Sequence, residues 1–360
     1  MRILHLIESL EFGGAEKVAI DLANAMADHH DVTICCVKRI GDLGASVDRR
    51  IQVLCLDKGE GNDYFVPFRL ARILRRFRID VLHAHNWGVF LEGAVAGTLA
   101  RTPVLVQTVH GPYMDYAPGW WPQFKRSLRH RLERALASHF VKIVTVSDAI
   151  QQYIRDEIGI SGTRLVTIHN GINIDASAPA SKRDSEITCI TVGRLAEIKN
   201  QAMMIRAFHF AECRNARLWL VGDGPERARL EALVSALGLG ERVIFAGFRH
   251  DIGEQLAQSD IFLMSSNYEG ISIAVLEAMR AALPVIGTRV GGMSETVNER
   301  TGILVDLEDF QAMAEAIRTL VDSPANRARL GIAGRQFLIA EFSIQTMVER
   351  YDLLYKGTSA

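Results

Sequence analysis

The stretch Ile261-Phe262-Leu263-Met264-Ser265-Ser266-Asn267-Tyr268-Glu269-Gly270-Ile271-Ser272-Ile273-Ala274-Val275-Leu276-Glu277-Ala278-Met279 passes from a short apolar run through a polar turn into a segment of helical period. Segment 261–264 reads as a buried strand, Gly270 as a turn residue, and a helix is expected to begin at Ile271 or Ser272. Strand, turn and helix in that order is the repeating unit of a parallel α/β sheet. The turn also carries chemistry. Glu269 and Glu277 flank a glycine able to take the positive φ that brings backbone N–H groups around an anion. The helix start adds unpaired N–H groups and the positive end of its dipole. The arrangement suits a ligand with hydroxyls at both ends and a diphosphate between them, since each carboxylate can accept two hydroxyl hydrogen bonds. Taken alone, the spacing fits better one loop glutamate and one surface glutamate. The neighbouring motifs reverse that balance.

Working outward, β-branched runs at 3–7, 32–37, 81–84, 104–109 and 143–146 read as buried strands, most of them separated by segments of helical period. The second half repeats the scheme at 187–192, 218–221, 243–245, 261–264 and 285–286. Short connections in this order imply right-handed crossovers and a parallel sheet covered on both faces, hence two Rossmann-like domains. The expected boundary is Asn170-Gly171-Ile172-Asn173-Ile174-Asp175, followed by a linker over 176–186 that lacks apolar periodicity. This divides the chain into an amino-terminal domain, 1–172, and a carboxyl-terminal domain, 173–342. Ser343 is a plausible N-cap for a closing helix over 343–360, whose stripe of Met347, Tyr351 and Leu354 needs a surface to cover.

In open α/β sheets ligands bind beyond the carboxyl ends of the strands. Gly13-Gly14-Ala15-Glu16, His110-Gly111, Arg194 with Lys199, Gly222-Asp223-Gly224, and Glu269 with Gly270 all follow strands. Arg194 and Lys199 flank the turn into a helix over 200–210 and can approach one anion, the guanidinium as a planar fork and the ammonium as a compact charge. The plainer alternative is two solvated loop cations. His110 can hydrogen-bond a ligand or shuttle a proton, or be a satisfied structural histidine, and Gly13-Gly14 can simply make a turn. No D-x-D triplet occurs, and His83-Ala84-His85 is the nearest approach to a metal cluster, one that rarely makes a complete site. Phosphate charge is therefore expected to meet protein cations and backbone amides, with no metal. The G-x-G-x-x-G fingerprint is absent after the first strand, which weakens a NAD reading.

The chain has 360 residues, enough for two cores, and its 41 basic and 42 acidic residues are mixed along it, which gives no global argument for nucleic acid. Five cysteines show no C-x-x-C spacing and read as reduced core residues, so a cytoplasmic protein is expected. The apolar run after Arg2 is ended by Glu8, too early for a secretion signal, and no apolar stretch approaches membrane-spanning length.

With these motifs in place, the chain resembles over nearly its whole length the glycosyltransferases of family 4, the "group 1" retaining transferases of the GT-B fold. The resemblance rests on the motifs above together with His83-Ala84-His85, Val146-Ser147, Val192-Gly193-Arg194-Leu195, Lys199-Asn200, Gly291-Gly292-Met293-Ser294-Glu295 and Phe342-Ser343. It implies two Rossmann-like domains facing each other across a cleft, the closing helix crossing back to the first. It further implies that Glu277 holds the ribose hydroxyls of a nucleotide-sugar donor, and Arg194 and Lys199 its pyrophosphate. Glu269, with the backbone of Gly270, Ile271, Ser272 and Ile273, would hold the transferred sugar. Gly224 joins the donor set, and Gly13 and Gly14 allow donor phosphate and acceptor to approach. His110 would lie near the reacting carbon and, with Glu269, Arg194 and Lys199, form the catalytic group. The acceptor set is Gly14, Glu16, His85, Asn86 and Trp87. Such enzymes are metal-independent and retain anomeric configuration, the leaving phosphate helping to deprotonate the acceptor. A UDP-sugar is expected ahead of a GDP-sugar. One departure is Ile271-Ser272, where relatives often carry an aromatic residue or leucine followed by proline.

Two basic segments mark the acceptor side: 69–78, and 120–134, which runs from Trp120-Trp121 to Arg134. Aromatics beside clustered Lys and Arg suit an anionic membrane surface, and with it a lipid-linked acceptor at the inner face of the plasma membrane. A solvated basic helix is the alternative. The expected activity is sugar transfer to a glycan or lipid-linked acceptor in bacterial exopolysaccharide or lipopolysaccharide synthesis. Its rivals are a nucleotide-sugar 2-epimerase of the same fold and a non-catalytic sugar-nucleotide-binding partner.

Overall fold

Where β-branched and apolar residues run together the chain forms strands, because a strand covered on both faces needs side chains that pack on both. A computed structural model describes residues 1–11, 13–61, 63–111, 120–174 and 186–357, without the side chains of Trp120, Trp121, Pro122 and Lys125. The linker expected over 176–186 lies, but for Glu186, outside the described residues. The first sheet comprises β1 (Arg2–Ser9), β2 (Asp31–Arg39), β3 (Gln52–Cys55), β4 (Val81–His85), β5 (Val104–Val109), β6 (Lys142–Thr145) and β7 (Leu165–Thr167). The second comprises β8 (Ile187–Val192), β9 (Ala216–Val221), β10 (Val243–Gly247), β11 (Ile261–Met264), β12 (Val285–Thr288) and β13 (Gly302–Val305). Their orders are β3-β2-β1-β4-β5-β6-β7 and β10-β9-β8-β11-β12-β13, with parallel neighbours throughout. Both are doubly wound. The α/β fold class expected from the pattern is what forms, with β3, β7 and β13 added at sheet edges.

Contacts divide the chain into two units, Met1–Asn173 with Ile344–Ala360, and Ile174–Ser343. The closing helix, Ile344–Tyr355, buries Ile344, Met347, Tyr351, Leu354 and Tyr355. It is tied to the first unit at its start, where the Ile344 N–H donates to the Ile172 carbonyl at 2.9 Å, and further along by an Asp352–His30 contact of 2.8 Å. In the second unit Met204, Phe208, Met313, Ile317 and Leu320 are buried in the core beside the sheet. Each contributes about 1.5–3 kcal/mol of burial energy.

Register decides what the first sheet presents. His5 of β1 pairs with His83 of β4, and His85 of β4 with Thr108 of β5. Because side chains alternate along a strand, His5, His83, His85, Thr108 and His110 share one face. The cysteines are free, and all but Cys55 are buried. Among the described residues no helix is long and apolar enough to cross a membrane.

Candidate active site

β8 and β11 are neighbours although the chain runs through β9 and β10 between them. The loops leaving such a pair diverge to opposite faces, and ligands bind where they part. Here the two loops are stitched together. Ser265 Oγ donates to the carbonyls of Lys199 and Asn200 at 3.0 and 2.9 Å. The Asn267 N–H donates to the Ile198 carbonyl at 2.7 Å, and Asn200 Nδ2 to Asn267 Oδ1 at 3.0 Å. Asn200 adopts the left-handed conformation (φ 46°), which asparagine tolerates better than most residues, and so turns the chain into helix Gln201–Ala211.

This stitching brings Lys199 and Glu269 together. Lys199 Nζ donates to Glu269 Oε1 at 2.5 Å, and Ser266 Oγ donates to the same oxygen at 2.6 Å. Glu269 is 8% exposed and Ser266 fully buried. Two residues given separate ligand roles by the resemblance thus form an ion pair, and Ser266, absent from the sequence-based set, supports it. The left-handed backbone expected at Gly270 is found instead at Gly291 (φ 48°), where an added Cβ would stand 1.9 Å from the Glu269 carbonyl oxygen. The Gly292 N–H donates to that oxygen at 3.0 Å. Gly224 plays a similar part on the other loop, since a Cβ there would stand 2.3 Å from the Leu195 carbonyl oxygen. These glycines let backbone press on backbone behind the polar side chains.

The helix after Gly270 is Ile273–Arg280, one or two residues later than expected, because Ser272 is extended (φ −76°, ψ 116°) and serves as its N-cap. The Ser272 hydroxyl makes no capping bond, while its carbonyl accepts from the Leu276 N–H at 3.1 Å. The N–H groups of Ile273, Ala274 and Val275 precede that first helical bond and point out of the helix start. Ile271, Ser272 and Ile273 are buried around it, and Glu277, half-buried, stands one turn along. Arg194 is exposed. Its guanidinium makes no hydrogen bond or ion pair among the described residues, and its carbonyl accepts from Gln201 Nε2 at 3.0 Å. The second unit therefore presents a helix start, an uncompensated guanidinium, a buffered ammonium and two carboxylates at one sheet end. That set can hold an anion with hydroxyl groups beside it.

In the first unit Gly13 is the extended N-cap of helix Gly14–Met26, and Glu16 folds back over it so closely that a Cβ on Gly13 would lie 2.0 Å from Glu16 Oε2. Gly14 faces open space. Burial, and then the nearby Glu8 and Glu11, raise the Glu16 carboxyl above its ordinary value, against the pull of a backbone hydrogen bond. Asn86 adopts a sparsely populated conformation (φ 64°, ψ 169°). Three bonds hold it: its N–H to the Thr108 carbonyl at 2.8 Å, its carbonyl from Gln107 Nε2 at 2.7 Å, and its Oδ1 from the His110 N–H at 3.1 Å. Asn86 thus fixes the backbone that carries His110. Trp87, read as an acceptor contact, is buried against Phe90, with ring centroids 5.0 Å apart. His85, given the same role, is 1% exposed, and both ring nitrogens are engaged by other histidines. The sequence offered no sign of this because partners eighty and twenty-five positions away come together only through strand register.

His5, His83 and His85 place ring nitrogens within 4.8 Å of one another, the one such group among the described residues with the makings of a metal site. The chemistry does not fit a cation. His83 already faces Tyr355 and Thr108 hydroxyls at 2.6 and 2.7 Å, and His85 faces His5 and His110 at 3.0 and 3.1 Å. Only His5 Nε2 is left over. Burial pushes His5 down to about 3 and His110 to about 4; it also holds His83 and His85 well below the ordinary range, helped by repulsion from the neighbouring rings. His110 is half-buried as a residue, but its Nδ1 is fully enclosed. All four rings are neutral at pH 7.

Family models match both halves of the chain: "Glycosyltransferase Family 4" over residues 12–176 and "Glycosyl transferases group 1" over residues 174–337. A lipopolysaccharide core biosynthesis glycosyltransferase of Rhizobium meliloti, LpsD, is 37% identical, the alignment covering 100% of this chain and 99% of the relative. An Escherichia coli UDP-Gal:alpha-D-GlcNAc-diphosphoundecaprenol alpha-1,3-galactosyltransferase is 24% identical over 99% and 96% of the two chains. Among solved structures, Anabaena HepE in complex with UDP superposes with a TM-score of 0.83 at 22% identity, covering 99% of this chain and 100% of that one.

Proposed function

The chain belongs to the group 1 glycosyltransferases of family 4, nucleotide-sugar-dependent enzymes, and from that premise we propose that it transfers a sugar from a UDP-sugar to a glycan or lipid-linked acceptor with retention of configuration and without a metal. The observation that carries this reading is the loop pair at β8 and β11. A helix start and an unpaired Arg194 stand there beside Lys199 and Glu269, with Glu277 one turn along. In this assignment Glu277 takes the ribose hydroxyls. Arg194, Lys199 and the amides of Ile273 to Val275 take the diphosphate. Glu269, with the backbone at 270–273, takes the sugar, and His110 meets the sugar near its reacting carbon. When the glycosidic bond to the donor breaks, the charge that develops on the leaving phosphate is stabilised by the guanidinium and by the helix start, which need no reorganisation at that moment. The departing phosphate oxygen then accepts the acceptor's proton, so the histidines need supply no base.

HepE has been solved with UDP and with UDP-glucose, and the matched relatives build lipopolysaccharide and lipid-diphosphate-linked glycans, which supports a UDP-sugar donor and an envelope glycan as acceptor. A thermal-shift series with UDP, GDP, ADP and their sugars, without added metal, tests the donor. UDP compounds should stabilise the protein, and Glu277→Ala and Arg194→Ala should each abolish the shift. Stabilisation by no nucleotide, or an unchanged shift in both variants, refutes the assignment.

Docking on an anionic bilayer is part of the proposal and is supported by two exposed surfaces. Around helix Val66–Arg76, Tyr64, Phe65 and Phe68 are 77%, 73% and 60% exposed, next to exposed Arg69, Arg72, Arg75 and Arg76. Helix Trp120–Ala137 exposes Phe124, Leu128 and Leu132 alongside Arg126 and Arg131. Aromatics that enter the headgroup layer beside guanidiniums that meet its charge are what such a surface requires. Co-sedimentation with vesicles containing anionic lipid should fall for Phe65→Ser/Phe68→Ser and for Arg126→Gln/Arg131→Gln. Unchanged sedimentation of both variants removes the membrane from the proposal.

A further inference from the structure

The first sheet has a switch point of its own. β1 and β4 are neighbours although β2 and β3 lie between them in the chain, so the backbone leaves β1 for the helix that starts at Gly14 and leaves β4 for helix Phe90–Ala100. A crevice opens where such loops part. The strand ends beneath it touch, since a Cβ on Gly88 would stand 2.6 Å from Glu8 Oε2, while Gly14 faces open space.

Asn86 is the first residue beyond β4. Its backbone, at φ 64° and ψ 169°, is one that glycine adopts freely and other residues seldom do. The three bonds that hold it there use its N–H, its carbonyl and its Oδ1. Gln107, which donates to the carbonyl, is fully buried. Oδ1 receives the His110 N–H, and a backbone N–H needs an acceptor, so the carboxamide has one orientation, with its oxygen inward and its nitrogen outward. Asn86 Nδ2 keeps both hydrogens. It has no hydrogen-bond partner among the described residues and, unlike the unpartnered His110 Nδ1, it is not enclosed. Holding the His110 N–H takes only an acceptor, which aspartate would offer as well. What asparagine adds is an outward donor at the switch point, on a backbone strained for a side chain to stand there.

We propose that Asn86 is a specificity-determining residue whose Nδ2 donates to a hydroxyl oxygen of the acceptor sugar. This rests on the reading of the chain as a transferase to a glycan, with the acceptor held by the first unit. The group only donates, so it binds an oxygen lone pair and takes no proton. Thr108 and Gln107 grip the Asn86 backbone through its N–H and its carbonyl, and His110 grips the carboxamide, so the donor is aimed before the sugar arrives and little ordering is left to binding.

The test uses the full-length protein saturated with UDP. The probes are the methyl glycosides of glucose, galactose, mannose and N-acetylglucosamine, each with its set of monodeoxyfluoro analogues. In ¹H–¹⁵N spectra the Asn86 side-chain pair is the one missing from Asn86→Asp, and at least one glycoside should shift it. Asn86→Asp keeps an acceptor for the His110 N–H but turns the outward donor into an acceptor. A hydroxyl can rotate to suit either group, so the parent glycoside should bind both proteins about equally, at unchanged UDP affinity. Fluorine accepts and cannot donate. At one ring position, therefore, the fluoro analogue should bind Asn86→Asp roughly tenfold more weakly than it binds wild type. Asn86→Gly, whose backbone is at ease here but which carries no donor, should bind the parent glycoside more weakly than wild type. The contact is overturned if no glycoside moves the Asn86 pair, if no fluoro position separates wild type from Asn86→Asp, or if Asn86→Gly binds the parent as wild type does. Absence of UDP binding overturns the transferase reading together with this contact, whereas UDP binding with a silent Asn86 removes the contact alone.

Discussion

Replacing Lys199 by methionine should destabilise the second unit through a residue seventy positions away in sequence. Glu269 is 8% exposed, and its Oε1 accepts from Lys199 Nζ at 2.5 Å and Ser266 Oγ at 2.6 Å. Without the ammonium, a buried carboxylate keeps one hydroxyl donor. A hydrogen bond to a charged group contributes about 1.5–3 kcal/mol, and breaking one side of a fully buried pair costs about 3–5 kcal/mol. The Lys199 side chain is 26% exposed, so water screens part of the interaction and the lower range applies, about 2–3 kcal/mol. For a unit of this size that is a fall in Tm of roughly 5–10 °C. A double-mutant cycle separates the pair from its surroundings. Glu269→Gln keeps an acceptor for Ser266 while removing the charge, so Lys199→Met/Glu269→Gln should recover to within about 1 kcal/mol of wild type. Nucleotide-induced stabilisation should stay weak in the double variant, because the diphosphate has still lost a cation. The reasoning fails if Lys199→Met shifts Tm by less than about 1 °C, or if the double variant is as unstable as the two singles added together.

Arg194→Ala should behave oppositely: Tm without ligand within about 1 °C of wild type, because the exposed guanidinium has no partner among the described residues, and nucleotide affinity down about tenfold or more by calorimetry. Gly291→Ala should cost more than about 2 kcal/mol in denaturant unfolding, since the new Cβ would stand 1.9 Å from the Glu269 carbonyl oxygen on a left-handed backbone (φ 48°), and it should weaken donor binding by displacing Glu269. Acid should loosen the first unit. Burial holds His5 at about 3 and His110 at about 4, against 6.5 for a free ring, so the unfolded chain takes up protons first as pH falls. The stability these rings contribute is complete above pH 6.5 and is lost as pH drops from there toward 4, at up to about 1.4 kcal/mol per ring per pH unit. Chemical denaturation at pH 7 and pH 5 should show that fall, and His5→Phe should flatten it by about one proton.

The central strands are legible in the sequence because burial on both faces calls for largely apolar runs, and β1, β4, β5, β8 and β11 each carry one built mainly from Ile, Val and Leu or other apolar residues. β3, β7 and β13 are three or four residues long, lie at sheet edges and bury only part of their side chains, so little in their composition marks them. The polar and glycine positions that follow the strands could likewise be picked out one at a time, since strand order alone sends them to the carboxyl end of a sheet. Their partnerships could not. Lys199 meets Glu269 because β8 and β11 lie side by side, and His5 meets His85 because β1 pairs with β4 in one register; a slip of one residue would turn the rings to opposite faces. Leu4-His5-Leu6 reads as a polar flaw in an apolar strand until that register supplies its neighbours. Local residue type therefore determined the strands, the turns and the reactive groups at their ends. Which of those groups neutralise, orient or bury one another was decided only when strands distant in sequence became adjacent, because such forces act over a few ångströms of space and not along the chain.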